Sequence, residues 1–77
     1  MNLNLIKANM AELEIGDTKV LFSYNIPVAA LIDGLYYKTD KRYSNTTQRH
    51  INQWLRDSVG VSSKPQEFFN NFMKEVK

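Results

Sequence analysis

The segment Tyr36 to Leu55, YYKTDKRYSNTTQRHINQWL, decides the fold because strand chemistry gives way to helix chemistry inside it. Tyr36 to Thr39 are aromatic, basic and β-branched residues that suit a pleated, half-buried surface. Asp40 to Ser44 is a polar connection. Ser44 or Asn45 can then cap the first free N–H groups of a helix, and Gln48, three residues after Asn45, completes a capping-box pattern. The helix is expected to run to about Ser58. Thr47, Ile51, Trp54, Leu55 and Ser58 fall on one stripe at 3.6-residue spacing, with Gln48, Arg49, Asn52, Gln53 and Arg56 opposite. Trp54 is the expected core anchor.

Upstream of this segment, signals of period two dominate. Ala11, Leu13 and Ile15 alternate with Glu12 and Glu14, which predicts a strand with an outward acidic face. Gly16-Asp17 is a two-residue hairpin turn, and Thr18 to Asn25 is the next strand, with Val20, Phe22 and Tyr24 on one face. Pro27 lacks a ladder donor and predicts a bulge, bend or edge within the apolar run Ile26 to Ile32. Asp33-Gly34 tolerates positive φ at both central positions of a type I′ turn, so Leu35 to Thr39 should pair back on Val28 to Ile32. Asn2 to Ala8 alternates only around Leu3 and Leu5, as an edge strand or an arm on a neighbour would.

Downstream, Gly60 is expected to end the helix. Ser63 and Gln66 form a second capping box with Pro65 inside the first turn, followed by the apolar stripe Phe68, Phe69, Phe72, Met73 and Val76. The reading is one α+β domain over residues 1–77: an antiparallel meander of three or four strands, then two C-terminal helices packed on one face of the sheet.

Composition narrows the function classes. At 77 residues the chain is near the lower limit for folding without staples, and with no cysteine the remaining route to extra stability is oligomerisation, so a homodimer is expected. The N-terminus lacks the apolar core of a signal peptide, and no run approaches a membrane span; the expected setting is intracellular, in the cytoplasm, with no membrane contact. Net charge is +2, unevenly spread. Residues 1–35 carry −2, whereas Lys38, Lys41, Arg42, Arg49 and Arg56 against Asp40 give residues 36–56 a charge of +4.

No spacing of nucleophile, base and acid points to catalysis, so the chain reads as a non-enzyme. His50, alone and without a nearby cysteine, reads as a locally hydrogen-bonded helix residue. No metal site and no cofactor are expected. Nucleic acid is the favoured partner. Lys38, Lys41, Arg42, Arg49 and Arg56 can neutralise phosphates, Tyr36, Tyr37 and Tyr43 could stack on bases, and Asn52 and Gln53 could reach base edges. The competing class is a protein-interaction module, with Phe68, Phe69, Phe72 and Met73 as the interface. A helix-turn-helix fits poorly because the last helix is charge-balanced and rich in phenylalanine.

The Tyr36–Leu55 segment also resembles small uncharacterised proteins of bacteriophages and their hosts, in which Tyr-Tyr-Lys-Thr leads to Tyr-Ser, Thr-Thr, Arg-His-Ile-Asn and Trp-Leu. The resemblance implies a domain of unknown function with a phage or prophage background. It implies no activity or ligand, and it singles out Lys38, Tyr43, Ser44, Thr47, Arg49, His50, Asn52 and Trp54.

Overall fold

The structure, a computed structural model, describes residues 1–56 and 58–76. Six strands and two helices follow in the order β1 (Asn2–Lys7), β2 (Met10–Ile15), β3 (Thr18–Ser23), β4 (Ile26–Ile32), β5 (Leu35–Thr39), α1 (Asn45–Trp54), β6 (Ser62–Lys64) and α2 (Gln66–Val76). The α+β class is as expected, but the sheet has six strands in sequential order instead of three or four.

Two-residue turns join the first five strands. Asp33 and Gly34 both take positive φ (53° and 79°), as a type I′ turn requires. Gly16 alone is positive in the Gly16-Asp17 turn. Tyr24-Asn25 is a further turn with both φ values positive (51° and 67°), so β3 stops at Ser23 instead of continuing to Asn25. An aromatic residue is an unfavourable choice for the left-handed region, which hides this turn from a sequence reading. Pro27 sits at the expected bulge: Phe22 faces Pro27 while Leu21 faces Ala29, leaving Val28 as the extra residue.

The sixth strand has no sequence signature. Ser62–Lys64 pairs in parallel with Tyr37–Thr39, an arrangement that needs a crossover, and α1 supplies it. Asp40 N–H donates to the Lys64 carbonyl at 2.9 Å and fastens the end of this pairing. Helix boundaries shift accordingly. α1 ends at Trp54 with Leu55 as its C-cap, short of the expected Ser58, and Gly60 lies beyond it in a bend. Ser63 belongs to β6 instead of capping α2, and Pro65 precedes the first helical residue, its carbonyl accepting from Phe68 N–H at 2.9 Å.

The two helices lie on opposite faces, which corrects the one-face arrangement. α1 brings Ile51, Trp54 and Leu55 onto Met10, Leu21, Val28 and Ala29. α2 brings Phe68, Phe69, Phe72 and Met73 onto Leu13, Val20 and Ala30. Because neighbouring strand residues point to opposite faces, Val20 and Leu21, or Ala29 and Ala30, each feed both cores. All four are at most 1% exposed. The acidic face of β2 is consequently the α1 face, and Glu12 accepts a hydrogen bond from Trp54 Nε1 at 2.8 Å. Trp54 itself is half-buried at the rim, and the largest fully buried side chain is Phe69. No helix among the described residues is long and apolar enough to cross a membrane.

Phe69→Ala is expected to cost about 3–5 kcal/mol, a large part of a small domain's total stability. Leu35→Ala, at a position 57% exposed, should cost below about 0.5 kcal/mol. Urea denaturation of the two variants checks the pair.

Candidate functional site

Where β5, β6 and the start of α1 meet, the backbone leaves an open groove of about 350 Å³. Lys38 and Ser63, paired across β5 and β6, line it together with Lys41, Arg42 and Gln48 of α1. Among the described residues Asp40 is the single carboxylate lining it. Local hydrogen bonds set the shape. Thr39 Oγ1 accepts from Lys41 N–H at 3.2 Å, turning the chain out of the sheet, and Ser44 Oγ accepts from Thr47 N–H at 3.2 Å, starting the helix. The cap is therefore Ser44, and residue 47 is a threonine in place of the expected box partner.

Beyond Gln48 the outer surface of α1 carries Arg49, Asn52 and Gln53, and Arg56 follows in the turn after the helix, all exposed. Lys7 joins this surface, its Nζ donating to Gln53 Oε1 at 2.7 Å. Lys7 was not legible as part of it, being 46 residues away in sequence. Only the pairing of β1 with β2 brings it there.

The tyrosines do not form the expected stacking platform. Tyr36 and Tyr37 point to opposite faces: Tyr36 meets Trp54 edge-on, with ring centroids 6.0 Å apart, and Tyr37 packs against Phe68 at 5.4 Å. Tyr43 is half-buried against the α1 core, with Lys41 Nζ 5.1 Å from its ring centroid. Burial pushes its phenol pKa up. Phe68, Phe69, Phe72 and Met73, expected as an interface, fill the space between α2 and the sheet.

His50 is not a local helix feature. It is 3% exposed, and its Nδ1 lies 2.8 Å from Ser23 Oγ, which is 2.9 Å from Thr47 Oγ1; Ser44 Oγ also donates to Thr47 Oγ1 at 3.3 Å. The Tyr24 ring lies beside the imidazole, tilted by 31° with centroids 6.2 Å apart. A serine beside a histidine suggests a nucleophile and base, but here both are buried, and Thr47, the third member, hydrogen-bonds the serine and not the far nitrogen of the imidazole, where an orienting acid would act. The network joins α1 to β3. Among the described residues no three His, Asp or Glu side chains converge as metal ligands would.

Comparison with known proteins gives a family and no activity. The model of the Family of unknown function (DUF8033) matches residues 1–71, and the chain belongs to this family. No curated protein and no solved structure matches it.

Burial, and secondarily the nearby Lys7 charge, lower the pKa of His50 below its ordinary 6.5. The unfolded chain therefore binds this proton more readily than the folded one. The stability contributed by neutral His50 is complete above about pH 6.5 and is lost as pH falls through the lowered pKa. Thermal melting from pH 7.5 down to 5 should show a steeper loss of Tm in the native chain than in His50→Gln. Parallel curves would show that His50 does not carry this dependence.

Proposed function

We propose that the chain is a small, non-enzymatic accessory protein of phage or prophage type that binds nucleic acid. The contact surface runs from Lys38, Lys41 and Arg42 across Gln48 to Arg49, Asn52, Gln53 and Arg56, with Lys7 at its far side. The observation that carries this reading is the groove that Lys38, Lys41 and Arg42 line with, among the described residues, a single carboxylate, Asp40. A phosphate backbone is the polyanion that fits a row of cations along a groove and an adjoining helix, and such contacts supply most sequence-independent affinity.

The packing of the tyrosines refines the reading. With Tyr36, Tyr37 and Tyr43 engaged in aromatic or core contacts, affinity would come mainly from phosphates instead of base stacking. Asn52 and Gln53 carry amides able to reach base edges, yet Gln53 already accepts from Lys7. Binding should accordingly be strongly salt-dependent and weakly selective. The phage setting rests on the resemblance of the Tyr36–Leu55 segment. The alternative reading, a protein-interaction module, gains from a different surface, the exposed leucines of β1.

Fluorescence-anisotropy titration of labelled single- and double-stranded DNA and RNA tests the proposal. Five phosphate contacts should lower affinity by about a hundredfold or more between ~50 and ~200 mM salt. Arg42→Glu combined with Arg49→Glu should abolish binding while the melting curve stays close to that of the native chain, both side chains being exposed. Affinity unchanged in this double variant would remove the basic surface from consideration.

A further inference from the structure

The two edges of the sheet are built differently. β6 is three residues long, Ser-Ser-Lys, and is followed by Pro65, so it offers little template for another strand. β1 is six residues long, pairs with β2 alone, and has no proline and no acidic residue. Its one charge, Lys7, is held against Gln53 of α1. Of the seven large apolar side chains exposed among the described residues, four lie in the first six positions: Met1 (78%), Leu3 (69%), Leu5 (75%) and Ile6 (42%). Leu3 and Leu5 pair with Leu13 and Ala11 and so lie on the α2 side of the sheet. There Leu3, Ala11, Leu13 and Phe22 line an open apolar groove of about 310 Å³.

We propose that β1 pairs with β1 of a second copy of this chain, antiparallel about Asn4, making one continuous sheet across a two-fold axis. In this register Asn4 faces Asn4 and Leu3 faces Leu5 of the other copy. Cross-strand partners share a face, so all four leucines meet on the α2 side and close the two apolar grooves against each other. A shift by one residue would set leucine against asparagine and split the apolar patch between faces. The sequence of β1 is thus complementary to itself, and the seam holds no acidic residue to repel its copy.

The dimensions agree. A standard interface covers about 800 Å² per partner, roughly a sixth of this molecule's 5105 Å² surface. That share corresponds to one side of a body measuring 29 × 26 × 24 Å, and a six-residue strand of about 20 Å runs most of the length of such a side. The two-fold axis is normal to the sheet, so both α1 helices lie on one side of the pair. The inference does not depend on the nucleic-acid reading.

Sedimentation equilibrium of the full chain should give a mass approaching twice 9.0 kDa at high protein concentration. Leu3→Lys with Leu5→Lys, both at exposed positions, should weaken association about a hundredfold or more with an unchanged circular dichroism spectrum. Because the chain has no cysteine, register can be read directly. Asn4→Cys should cross-link to a dimer on mild oxidation, since facing residues of antiparallel strands lie within disulfide reach, whereas Leu35→Cys should not. A dimer that survives the double lysine substitution, or Asn4→Cys chains that do not cross-link, would overturn the proposal. So would a monomer at every concentration, which would leave β1 as an edge for an extended segment of a different protein.

Discussion

The burial of β3 and β4 on both faces is the constraint from which the rest of the architecture follows. A strand such as Val28-Ala29-Ala30 with no exposed side chain needs cover above and below, and among the described residues only two short helices are available. They must therefore separate, one to each face. The parallel strand β6 makes this possible: the chain leaves β5, crosses one face as α1, returns through the sheet edge as Ser62–Lys64, and emerges on the other face as α2. Small residues at Ala29 and Ala30 stand where both helices press on the same strand. Gln66 adds a polar tie, its Nε2 donating to the Pro27 carbonyl at 2.7 Å, so the bulge and the second helix are fixed to one another.

Much of this was legible because turn chemistry is local. Gly16-Asp17, Asp33-Gly34 and Pro27 announce themselves by backbone requirements that few other residues meet, and the Ser44 cap is readable for the same reason. What could not be read depends on distant partners. β6 is three polar residues whose only strand property is the backbone of Tyr37–Thr39 beside it. The placing of α1 and α2 on opposite faces is marked not by β2, where alternation is clear, but by VLF and VAALI, whose unbroken apolar runs belong to strands covered on both sides. The Tyr24-Asn25 turn was hidden by a residue ill-suited to positive φ, whose ring nonetheless lies beside His50.

The candidate site divides along the same line. Lys38, Lys41 and Arg42 are close in sequence and end together in one groove, whereas the two tyrosines just before them are separated by the pleat, which sends Tyr36 and Tyr37 to opposite faces. The basic character of the surface therefore rests on charges grouped by a loop and one helix face. The buried setting of His50 has no local sequence signal, because its partner, Ser23, lies 27 residues away. Its burial makes it a bolt between α1 and β3, and the acidic side of neutrality the place where that bolt loosens.

Every pairing among the first five strands joins sequence neighbours through a two-residue turn, so the meander can assemble from local contacts, hairpin by hairpin. Its two apolar faces, however, are covered only by segments that lie later in the chain. During synthesis a completed five-strand sheet would stand bare on both sides until residues 45–76 follow, and that interval is the moment at which this small protein is most exposed to aggregation.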